Sequence, residues 1–560
     1  MNSKIELETH IAESFARLKF SPRGNQSQIC YDVLDAFLNK GKKNVVLNAP
    51  VGFGKSICGG VVADALNVLT PDMEGLGAVI GLSTNILGEQ YKDSFSTLDK
   101  YKVFQIKGAV NYPCNYMEKQ LSATIKTADE CVKKKLLPQE TEKYCRGCEY
   151  DIARKTANIT EILITNYSYF LISAMATNHL KPRKLHIFDE SHLLNDIYCN
   201  YTEILVSVEQ IDKNIKDLVD TNGKCDDEIS GLIMLKNRVS SGEIGEGNYM
   251  QILEILQQIY MSIETVLISQ SEGLDGIDII KSSKYAKLAR RFSSNAGKIT
   301  DLFDNEYEHV FDNSIPNTFT VKTIFVGKMI NKLLAPHNLF MSATITDQFA
   351  FDTLNLDRDD TEFIEIGPVF PPENKKIFFV GKTPLNYHSM KEPDTISELK
   401  KQIKMIVEFH GKDKGLILVP SFYLGSQLAD AVGRGTRVFE HKSGIKLPDI
   451  VSSFKRYKGS AILISPSIWE GLDFRDEDSR FAILIKAPFF NISDKRIKYI
   501  ADHHPNIYKE MALIKILQGV GRSVRTPEDY AATYCLDPAI KSLYDSKQNI
   551  WKSHHQIMTN

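Results

Sequence analysis

Residues 48–56 read Asn48-Ala-Pro-Val-Gly-Phe-Gly-Lys-Ser56, and they predict a phosphate-binding loop of the P-loop type. A β-branched run, Asn44–Leu47, comes just before them and is typical of a buried strand. An apolar run beginning at Ile57 follows and can form a helix. Strand, glycine-rich turn and helix is the order in which a P-loop is built. This part of the chain therefore predicts a nucleotide site on an α/β sheet.

Each residue type in the loop has a predicted role. Gly52 and Gly54 let the backbone turn and aim its N–H groups at phosphate oxygens. Lys55 is expected to reach the β- and γ-phosphates of ATP, and the Ser56 hydroxyl to ligate Mg²⁺. Ala49 stands where the usual pattern has its first glycine. A glycine-rich turn without a ligand is the alternative, and the loop does not say what hydrolysis would drive.

Length and composition set broad limits on the protein. Its 560 residues suffice for three or four domains, and 43% hydrophobic and 25% charged residues are ordinary for a globular protein. The formal net charge is -2, so any nucleic acid must bind through local basic channels. We find no apolar run long enough to cross a bilayer and no apolar signal core at the N-terminus. We therefore expect a cytosolic protein without a membrane partner, whose 9 cysteines are thiols or metal ligands.

An Arg-x-x-Gln element precedes the P-loop by some two dozen residues. It consists of Arg23 and Gln26. A glutamine amide can both donate to and accept from the edge of adenine, which suits a nucleotide-reading element. A helix-capping loop explains the same residues equally well.

A second strand end carries paired acids. The apolar run Leu185–Phe188 leads into Asp189-Glu190-Ser191-His192. Asp189 is expected to hold Mg²⁺ through water and Glu190 to polarise the attacking water. His192 could relay the nucleotide state to a polynucleotide site. The alternative is a surface helix cap, which a preceding P-loop and strand make the weaker interpretation.

A second α/β alternation begins after a Pro- and Gly-rich linker at 367–374. Strand-like runs at 415–419, 461–465 and 481–485 alternate with polar and helical segments. The sequence therefore predicts two α/β halves, which share no convincing internal repeat.

Three polar side chains near residue 520 are predicted to share one face of a helix that begins at Tyr508. Gln518, Arg522 and Arg525 fall at i, i+4 and i+7. Two guanidinium groups on one face suit the charge that develops on a γ-phosphate. This helix is predicted to complete the hydrolysis site.

Four cysteines fall between residues 103 and 160, with the spacing C-x16-C-x13-C-x2-C. They are Cys114, Cys131, Cys145 and Cys148. Four thiolates within 35 residues can bind a tetrahedral Zn²⁺ or a [4Fe–4S] cluster. Free thiols are the alternative.

Residues from roughly 200 to 330 predict a helical insertion. Apolar residues recur at helical spacing from Tyr249 to Ser269, and a second helical segment covers Lys281–Asp304. We find no strand pattern of comparable strength here. The basic residues of the second segment could face nucleic acid or form a solvated helix face.

The order of these motifs resembles that of superfamily 2 helicases: P-loop, Thr-bearing strand end, Asp-Glu-x-His, Ser-Ala-Thr, Trp-Glu-Gly-x-Asp and Gln-x-x-Gly-Arg-x-x-Arg. Residues Lys107–Cys114 resemble the start of the iron–sulfur domain of the XPD/DinG family. Cys145–Tyr150 and Ala153-Arg154 resemble its end. The compact chain, without an appended nuclease or partner-binding tail, favours a DinG-like member.

The resemblance implies an α/β fold of two RecA-like parallel-sheet motor domains, with an iron–sulfur insertion and a helical arch insertion in the first. The implied ranges are motor domain 1 in three parts (1–102, 161–200 and 331–366), iron–sulfur domain 103–160, arch 201–330, linker 367–376 and motor domain 2 at 377–560. By this resemblance the protein is an ATP-dependent helicase that moves 5′→3′ on single-stranded DNA and acts on forked or tailed duplexes as a monomer.

The resemblance also assigns residues to roles. Lys55, Ser56, Asp189 and Glu190 would form the ATPase centre, with ATP and Mg²⁺ as cofactors. Gln518, Arg522 and Arg525 would approach it from the second motor domain, Gly471 and Asp473 would couple the interface to nucleic acid, and Cys114, Cys131, Cys145 and Cys148 would hold a [4Fe–4S] cluster in a wedge beside the DNA.

The chain departs from the family pattern at three positions. Ser191 replaces the usual Ala of Asp-Glu-Ala-His, Ala109 stands where many members have Arg, and Glu149 replaces a common Pro. Two other functions share the motor motifs. One is an ATP-gated factor that binds or remodels single strands without unwinding. The other is a zinc-stabilised RNA helicase.

Overall fold

The computed structural model describes residues 2–50, 52–96, 98–114, 128, 147–174, 180–221, 224–272, 279–367, 369–386, 388–433, 435–469, 474, 476–520, 524, 528–546 and 555–558. The strands within them are β1 (Asn44–Asn48), β2 (Leu76–Leu82), β3 (Val103–Gln105), β4 (Ile162–Asn166), β5 (Arg183–Asp189), β6 (Ile204–Ser207), β7 (His309–Asp312), β8 (Thr318–Thr323), β9 (His337–Ser342), β10 (Thr361–Glu365), β11 (Lys375–Phe379), β12 (Lys414–Leu418), β13 (Arg437–Glu440), β14 (Ala461–Ser465), β15 (Phe481–Leu484), β16 (Ala531–Cys535) and β17 (Gln556–Met558).

The α-helices within the same residues are α1 (Lys4–Arg17), α2 (Gln26–Leu38), α3 (Lys55–Leu69), α4 (Asn85–Ser94), α5 (Glu149–Ala157), α6 (Tyr167–Ile172), α7 (Leu194–Thr202), α8 (Val208–Asp220), α9 (Asp226–Ser241), α10 (Tyr249–Glu272), α11 (Ile279–Asn305), α12 (Gly327–Lys332), α13 (Asp347–Leu354), α14 (Pro393–His410), α15 (Phe422–Leu428), α16 (Leu447–Arg456), α17 (Lys495–His503), α18 (Pro505–Val520) and α19 (Pro538–Ser546).

The first sheet is parallel throughout and has the strand order β10-β1-β9-β5-β2-β4-β3. Its central strands are buried along nearly their whole length. Helices on both faces of a parallel sheet produce this pattern, which is why these strands read as continuous apolar runs. The carboxyl ends of β1, β9 and β5 therefore lie side by side at one edge.

The second sheet is also parallel, in the order β13-β14-β12-β15-β16-β11-β17. The chain leaves the first sheet after β10 at Glu365 and begins the second at Lys375 with β11. The predicted linker, 367–376, covers most of this interval and overlaps the first two residues of β11. The prediction of two parallel-sheet α/β domains is confirmed.

The segment predicted to be a helical insertion contains α8 to α11, but it also contains a small antiparallel sheet in the order β6-β8-β7. The sequence analysis found no strand pattern here. The strands have only four to six residues. Ile204 is buried, Leu205 is exposed and Val206 is buried, but an alternation this short is not recognised as a strand from sequence. The long helices α10 and α11 pack against each other.

The sequence analysis found no apolar run long enough to cross a membrane, but helix α10 contains one. Residues Tyr249–Ser271 are long and apolar enough to do so, with a mean hydropathy of 1.2 over the best window. Core helices of soluble proteins pass the same test, and one third of that window is buried inside the protein. A single such helix is weak evidence, so the absence of a membrane partner stays a prediction.

Helices α17 and α18 follow the second sheet's β15 along the chain but pack against the first domain and its insertion. Five of their apolar side chains join the same core cluster as Phe319 of β8 and Phe340 of β9. They are Ile497, Ile500, Ile507, Met511 and Ile514. Two ion pairs border this contact, Lys322–Asp494 at 2.6 Å and Arg496–Asp196 at 3.1 Å.

Candidate active site

The predicted P-loop lies between β1 and α3, as the sequence analysis proposed. Gly52 and Gly54 have φ angles of 88° and 89°. Residues with a Cβ adopt this backbone region at a cost, so both glycines are required by the turn. Ala49, at the start of the loop, donates its N–H to the carbonyl of Ser342 at the end of β9, at 2.9 Å. The loop is thereby tied to the edge where β1 and β9 end.

The two functional side chains of the loop begin helix α3. Lys55 and Ser56 are half-buried. The Lys55 Nζ donates to the carbonyl of Ala49 at 3.0 Å, which folds the side chain back over the loop. An ammonium group in this position faces the concavity formed by the loop amides and the helix N-terminus, where phosphate oxygens bind favourably.

Gln26 supports the P-loop directly. It is 3% exposed, and its Nε2 donates to the carbonyl of Phe53 at 2.6 Å. Its Oε1 accepts from the backbone N–H of Arg23 at 2.9 Å. An amide has two donors and two lone pairs, so one of each is already used to brace the loop. Adenine recognition by Arg23 and Gln26 stays a prediction.

Asp189, at the end of β5, is buried beside the P-loop and held at several atoms. The Tyr91 hydroxyl donates to its Oδ2 at 2.7 Å, and the Tyr167 hydroxyl donates to its backbone carbonyl at 2.5 Å. Burial, together with the nearby charge of Glu190, raises the pKa of Asp189 to about 6, while Lys55 and the Tyr91 hydrogen bond act in the opposite direction. A buried carboxylate of this kind is a favourable site for a cation.

Glu190 has an unusual backbone. Its φ is +53°, in the left-handed region that non-glycine residues rarely adopt. Its N–H donates to Oδ1 of Asp189 at 3.0 Å. Such a conformation costs on the order of 1–3 kcal/mol and is concentrated at functional sites. The left-handed backbone conformation places Glu190 at the sheet edge beside Asp189.

His192 links the two α/β domains. Its Nδ1 contacts Ser342 Oγ at 2.8 Å, and its Nε2 contacts Gln518 Nε2 at 2.5 Å. An amide nitrogen can only donate, so Nε2 of His192 accepts and the ring proton lies on Nδ1, which donates to Ser342. Ser342 Oγ also accepts from the N–H of Thr344 at 3.1 Å. The Asp-Glu-x-His and Ser-Ala-Thr motifs and helix α18 therefore meet at one imidazole.

A second buried polar contact joins α18 to the first domain. Thr346 Oγ1 donates to Oε2 of Glu510 at 2.9 Å and also caps α13 by accepting from Phe349. Glu510 is 1% exposed. It lies eight residues before Gln518 on the same helix, so two contacts about two turns apart on one side fix how α18 lies on the first sheet.

Helix α18 begins at Pro505, three residues before the predicted start at Tyr508. Proline is favourable at the first helical position because its fixed φ suits a helix and its missing N–H would have no partner there. Gln518 lies on α18 as predicted. Arg522, Arg525, Gly471 and Asp473 lie outside the described residues, so their roles stay predictions.

Two of the four predicted cluster ligands are described. Cys114 and Cys148 are half-buried. Tyr112 and Tyr150, each two residues away from one of them, have ring centroids 5.4 Å apart and bring the two chain segments together. Cys131 and Cys145 lie outside the described residues. Among the residues that are described, no group of three or more His, Cys, Asp and Glu side chains is placed to hold a metal ion.

Comparisons with known proteins agree with this geometry. A family model described as DEAD_2 matches residues 90–211, and one described as Helicase C-terminal domain matches residues 404–555. The ATP-dependent DNA helicase YoaA of Haemophilus influenzae is 23% identical over 610 residues, covering 92% of this chain and 91% of that protein. The ATP-dependent DNA helicase CHL1 of Debaryomyces hansenii is 21% identical over 481 residues, covering 70% of this chain.

The matched region spans 57% of the D. hansenii protein and 65% of the Escherichia coli YoaA protein, which is 23% identical over 426 residues and covers 69% of this chain. Among solved structures, an XPD helicase superimposes with a TM-score of 0.61 at 16% identity, covering 96% of this chain and 100% of that one. S. tokodaii Xpd4 gives 0.59 at 15% identity, covering 96% and 100%. These matches confirm the resemblance to XPD/DinG-like superfamily 2 helicases and the two-sheet fold.

Proposed function

We propose that this XPD/DinG-like member of superfamily 2 is an ATP-dependent DNA helicase. The observation that carries the proposal is that His192, which follows Asp189 and Glu190 in the chain, contacts both Ser342 of the first sheet and Gln518 of α18. It connects a P-loop on the first sheet to a helix of the second motor domain. A hydrolysis site assembled in this way changes the relation of two domains as ATP is bound and released, which is what a translocating motor requires.

The residues present fit an ATP and Mg²⁺ site. Lys55 and the loop amides would bind the phosphates, and Ser56 and Asp189 would hold Mg²⁺. A buried carboxylate with a raised pKa gains from a neighbouring cation, and the cation would neutralise phosphate charge. Glu190 would orient the attacking water and accept its proton. Gln518, with Arg522 and Arg525 by sequence, would complete the site from the second motor domain.

DNA as the substrate is supported by the relatives, several of which are named as DNA helicases. We further propose movement 5′→3′ on single-stranded DNA, action on forked or tailed duplexes, and a [4Fe–4S] wedge held by Cys114, Cys131, Cys145 and Cys148. The closeness of the segments around Cys114 and Cys148 supports a shared metal centre. We propose a cytosolic monomer.

The first experiment is an ATPase assay with and without single-stranded DNA. We expect hydrolysis to be strongly stimulated by DNA and weakly by RNA. Stimulation by RNA alone would favour the RNA-helicase alternative, and the absence of any hydrolysis would contradict the proposal.

The second experiment is strand displacement on matched duplexes. A duplex with a 5′ single-stranded tail should be unwound, and the same duplex with a 3′ tail should not. DNA-stimulated hydrolysis without displacement on either tail would indicate a factor that binds or remodels single strands. Unwinding from the 3′ tail alone would contradict the proposed direction.

A further inference from the structure

Tyr91 lies between the two side chains that are predicted to hold Mg²⁺. It is on α4 and is 3% exposed. Its hydroxyl donates to Oδ2 of Asp189 at 2.7 Å, and the Ser56 side chain lies near it. The phenolic oxygen therefore lies beside both the P-loop serine and the acidic strand end.

Packing fixes where this hydroxyl lies. The rings of Tyr91 and Phe95 are 6.4 Å apart, and Phe95 packs edge-on against Phe20 at 5.4 Å. Helix α3 backs the pair closely, because a Cβ added at Gly60 would lie 2.8 Å from the Phe95 ring. Tyr91 is buried beside a Phe95 ring that is itself closely packed, and its hydroxyl is held on Asp189.

Helix α4 itself is anchored in its first two turns. The Asn166 amide donates to Asn85 Oδ1 at 2.7 Å, and Lys107 pairs with Glu89. The Thr84 side chain caps the helix by accepting from the N–H of Leu87 at 3.3 Å. Tyr91 is thus presented from a fixed element rather than from a loop.

The hydroxyl acts as a donor. Burial, and next the charge of Asp189, raise the pKa of Tyr91 well above its usual range, so the phenol keeps its proton at neutral pH. Oδ2 of Asp189 accepts from Tyr91, and Oδ1 accepts from the N–H of Glu190. With one donor on each oxygen, the plane of the carboxylate is set.

We propose that Tyr91 is a positioning residue that orients the Asp189 carboxylate for the metal of the nucleotide complex. The proposal rests on the ATPase function proposed above. The bond from Tyr91 to Oδ2 of Asp189 leaves further lone pairs of the carboxylate available to a cation. Tyr91 therefore acts through its hydrogen bond to a predicted metal ligand and is not itself a ligand. Hydrogen-bond partners of this kind tune the affinity for the metal.

The test is the variant Tyr91→Phe, which keeps the ring in its packing and removes only the hydroxyl. Mn²⁺ binding is measured by electron paramagnetic resonance in the presence of a non-hydrolysable ATP analogue, with Mn²⁺ in place of Mg²⁺. We expect the affinity for Mn²⁺ to fall about tenfold, at the low end of the effect of removing such a partner. The affinity for the analogue measured without metal should be unchanged.

Tyr167→Phe is the matched control. Tyr167 is also buried and also bonds to Asp189, but it bonds to the backbone carbonyl and not to the carboxylate. It should lower the melting temperature without changing Mn²⁺ affinity. An unchanged Mn²⁺ affinity in Tyr91→Phe, or equal losses in both variants, would overturn the proposal. Failure of the ATPase proposal would be seen separately, as wild-type protein that does not bind the analogue.

Discussion

Both sheets place a buried histidine against a serine at the end of a neighbouring strand. In the first sheet His192 contacts Ser342 at 2.8 Å, and in the second His441 contacts Ser465 Oγ at 2.9 Å through the same ring nitrogen, Nδ1. Each serine also accepts an N–H from the residue two positions later, at 3.1 Å for Ser342 and 3.0 Å for Ser465. The two halves, which share no convincing sequence repeat, thus share a local arrangement.

The second ring nitrogen distinguishes the two histidines. Nε2 of His192 reaches Gln518 on α18, whereas Nε2 of His441 contacts the carbonyl of Ile445, in its own loop, at 2.9 Å. The first pair connects two domains, and the second closes a turn within one. The two sheets also differ in the chemical groups at the ends of their strands. The P-loop and the strained Glu190 belong to the first sheet, while β12 of the second runs into Val-Pro-Ser.

The largest effect on ATP turnover should come from the first sheet. We expect Lys55→Ala to reduce hydrolysis to background, because the phosphates lose their cation. Glu190→Gln should still bind ATP but hydrolyse it about 10²–10⁴-fold more slowly, the usual contribution of a general base. Steady-state hydrolysis with single-stranded DNA and binding of a fluorescent ATP analogue measure the two effects.

Lys442→Ala is a control for the change of charge, because Lys442 is exposed beside His441 on the second sheet. Its ATPase activity should remain normal. Normal DNA-stimulated turnover in Lys55→Ala would show that the site is misassigned.

The next effect should come from the second motor domain and should fall on rate rather than on binding. Arg522→Ala and Arg525→Ala are expected to lower the hydrolysis rate while leaving ATP affinity nearly unchanged, since guanidinium groups stabilise transition-state charge most strongly. An arginine of this type contributes a factor of about 10³–10⁵ in related reactions. Separate measurements of kcat and of nucleotide affinity would show whether the loss falls on the rate alone. Equal losses in both quantities would contradict the predicted role.

A smaller effect should separate the two histidines. His192→Ala removes the contact to Gln518, and we expect the stimulation of ATPase by DNA to fall about tenfold while the basal rate changes little. His441→Ala should leave the stimulation intact and reduce stability by about 1–3 kcal/mol, because it leaves a buried serine without its partner. The ratio of ATPase rates with and without DNA, and chemical denaturation, measure these outcomes. Similar losses of stimulation in both variants would remove the distinction.

The smallest effect on ATP binding should come from the cysteines. Replacing Cys114, Cys131, Cys145 or Cys148 by Ser should loosen the segment between them, because metal ligation would supply much of its folding free energy. ATP binding should survive, since the P-loop lies in a separate core, but strand separation should fail. Protein purified without oxygen should be brown, with about four irons and four sulfides per chain. A colourless protein with one zinc that still unwinds DNA would contradict the cluster.

The sequence predicted the features that local signals encode. The P-loop and the acidic strand end each combine a short apolar run with a few polar residues of defined type, and the fold places them at the carboxyl ends of β1 and β5, on either side of β9. His192 was expected to relay the nucleotide state toward the nucleic acid. Its contact with Gln518, 326 residues away, could not be read from either segment.

The features that were missed depend on packing between distant parts of the chain. The sequence analysis assigned Tyr91 no role, and only the packing of α4 on the first sheet brings it to Asp189. The antiparallel strands β6, β7 and β8 are short, and the four helices α8 to α11 separate β6 from the other two. Thr346 and Glu510 meet only because α18 lies on the first sheet. Periodicity within a segment carries no information of this kind.

The packing of α17 and α18 limits which fragments of this protein can fold on their own. A fragment that began after residue 374 would carry the whole second sheet but would expose Ile497, Ile500, Met511 and their neighbours to water. Removing the insertion would uncover part of the same surface, because α17 packs against β7. Each side chain of this size loses about 1.5–3 kcal/mol when its burial is lost. The second half is therefore not an independent module, and separate expression of it should give poorly soluble, aggregating material.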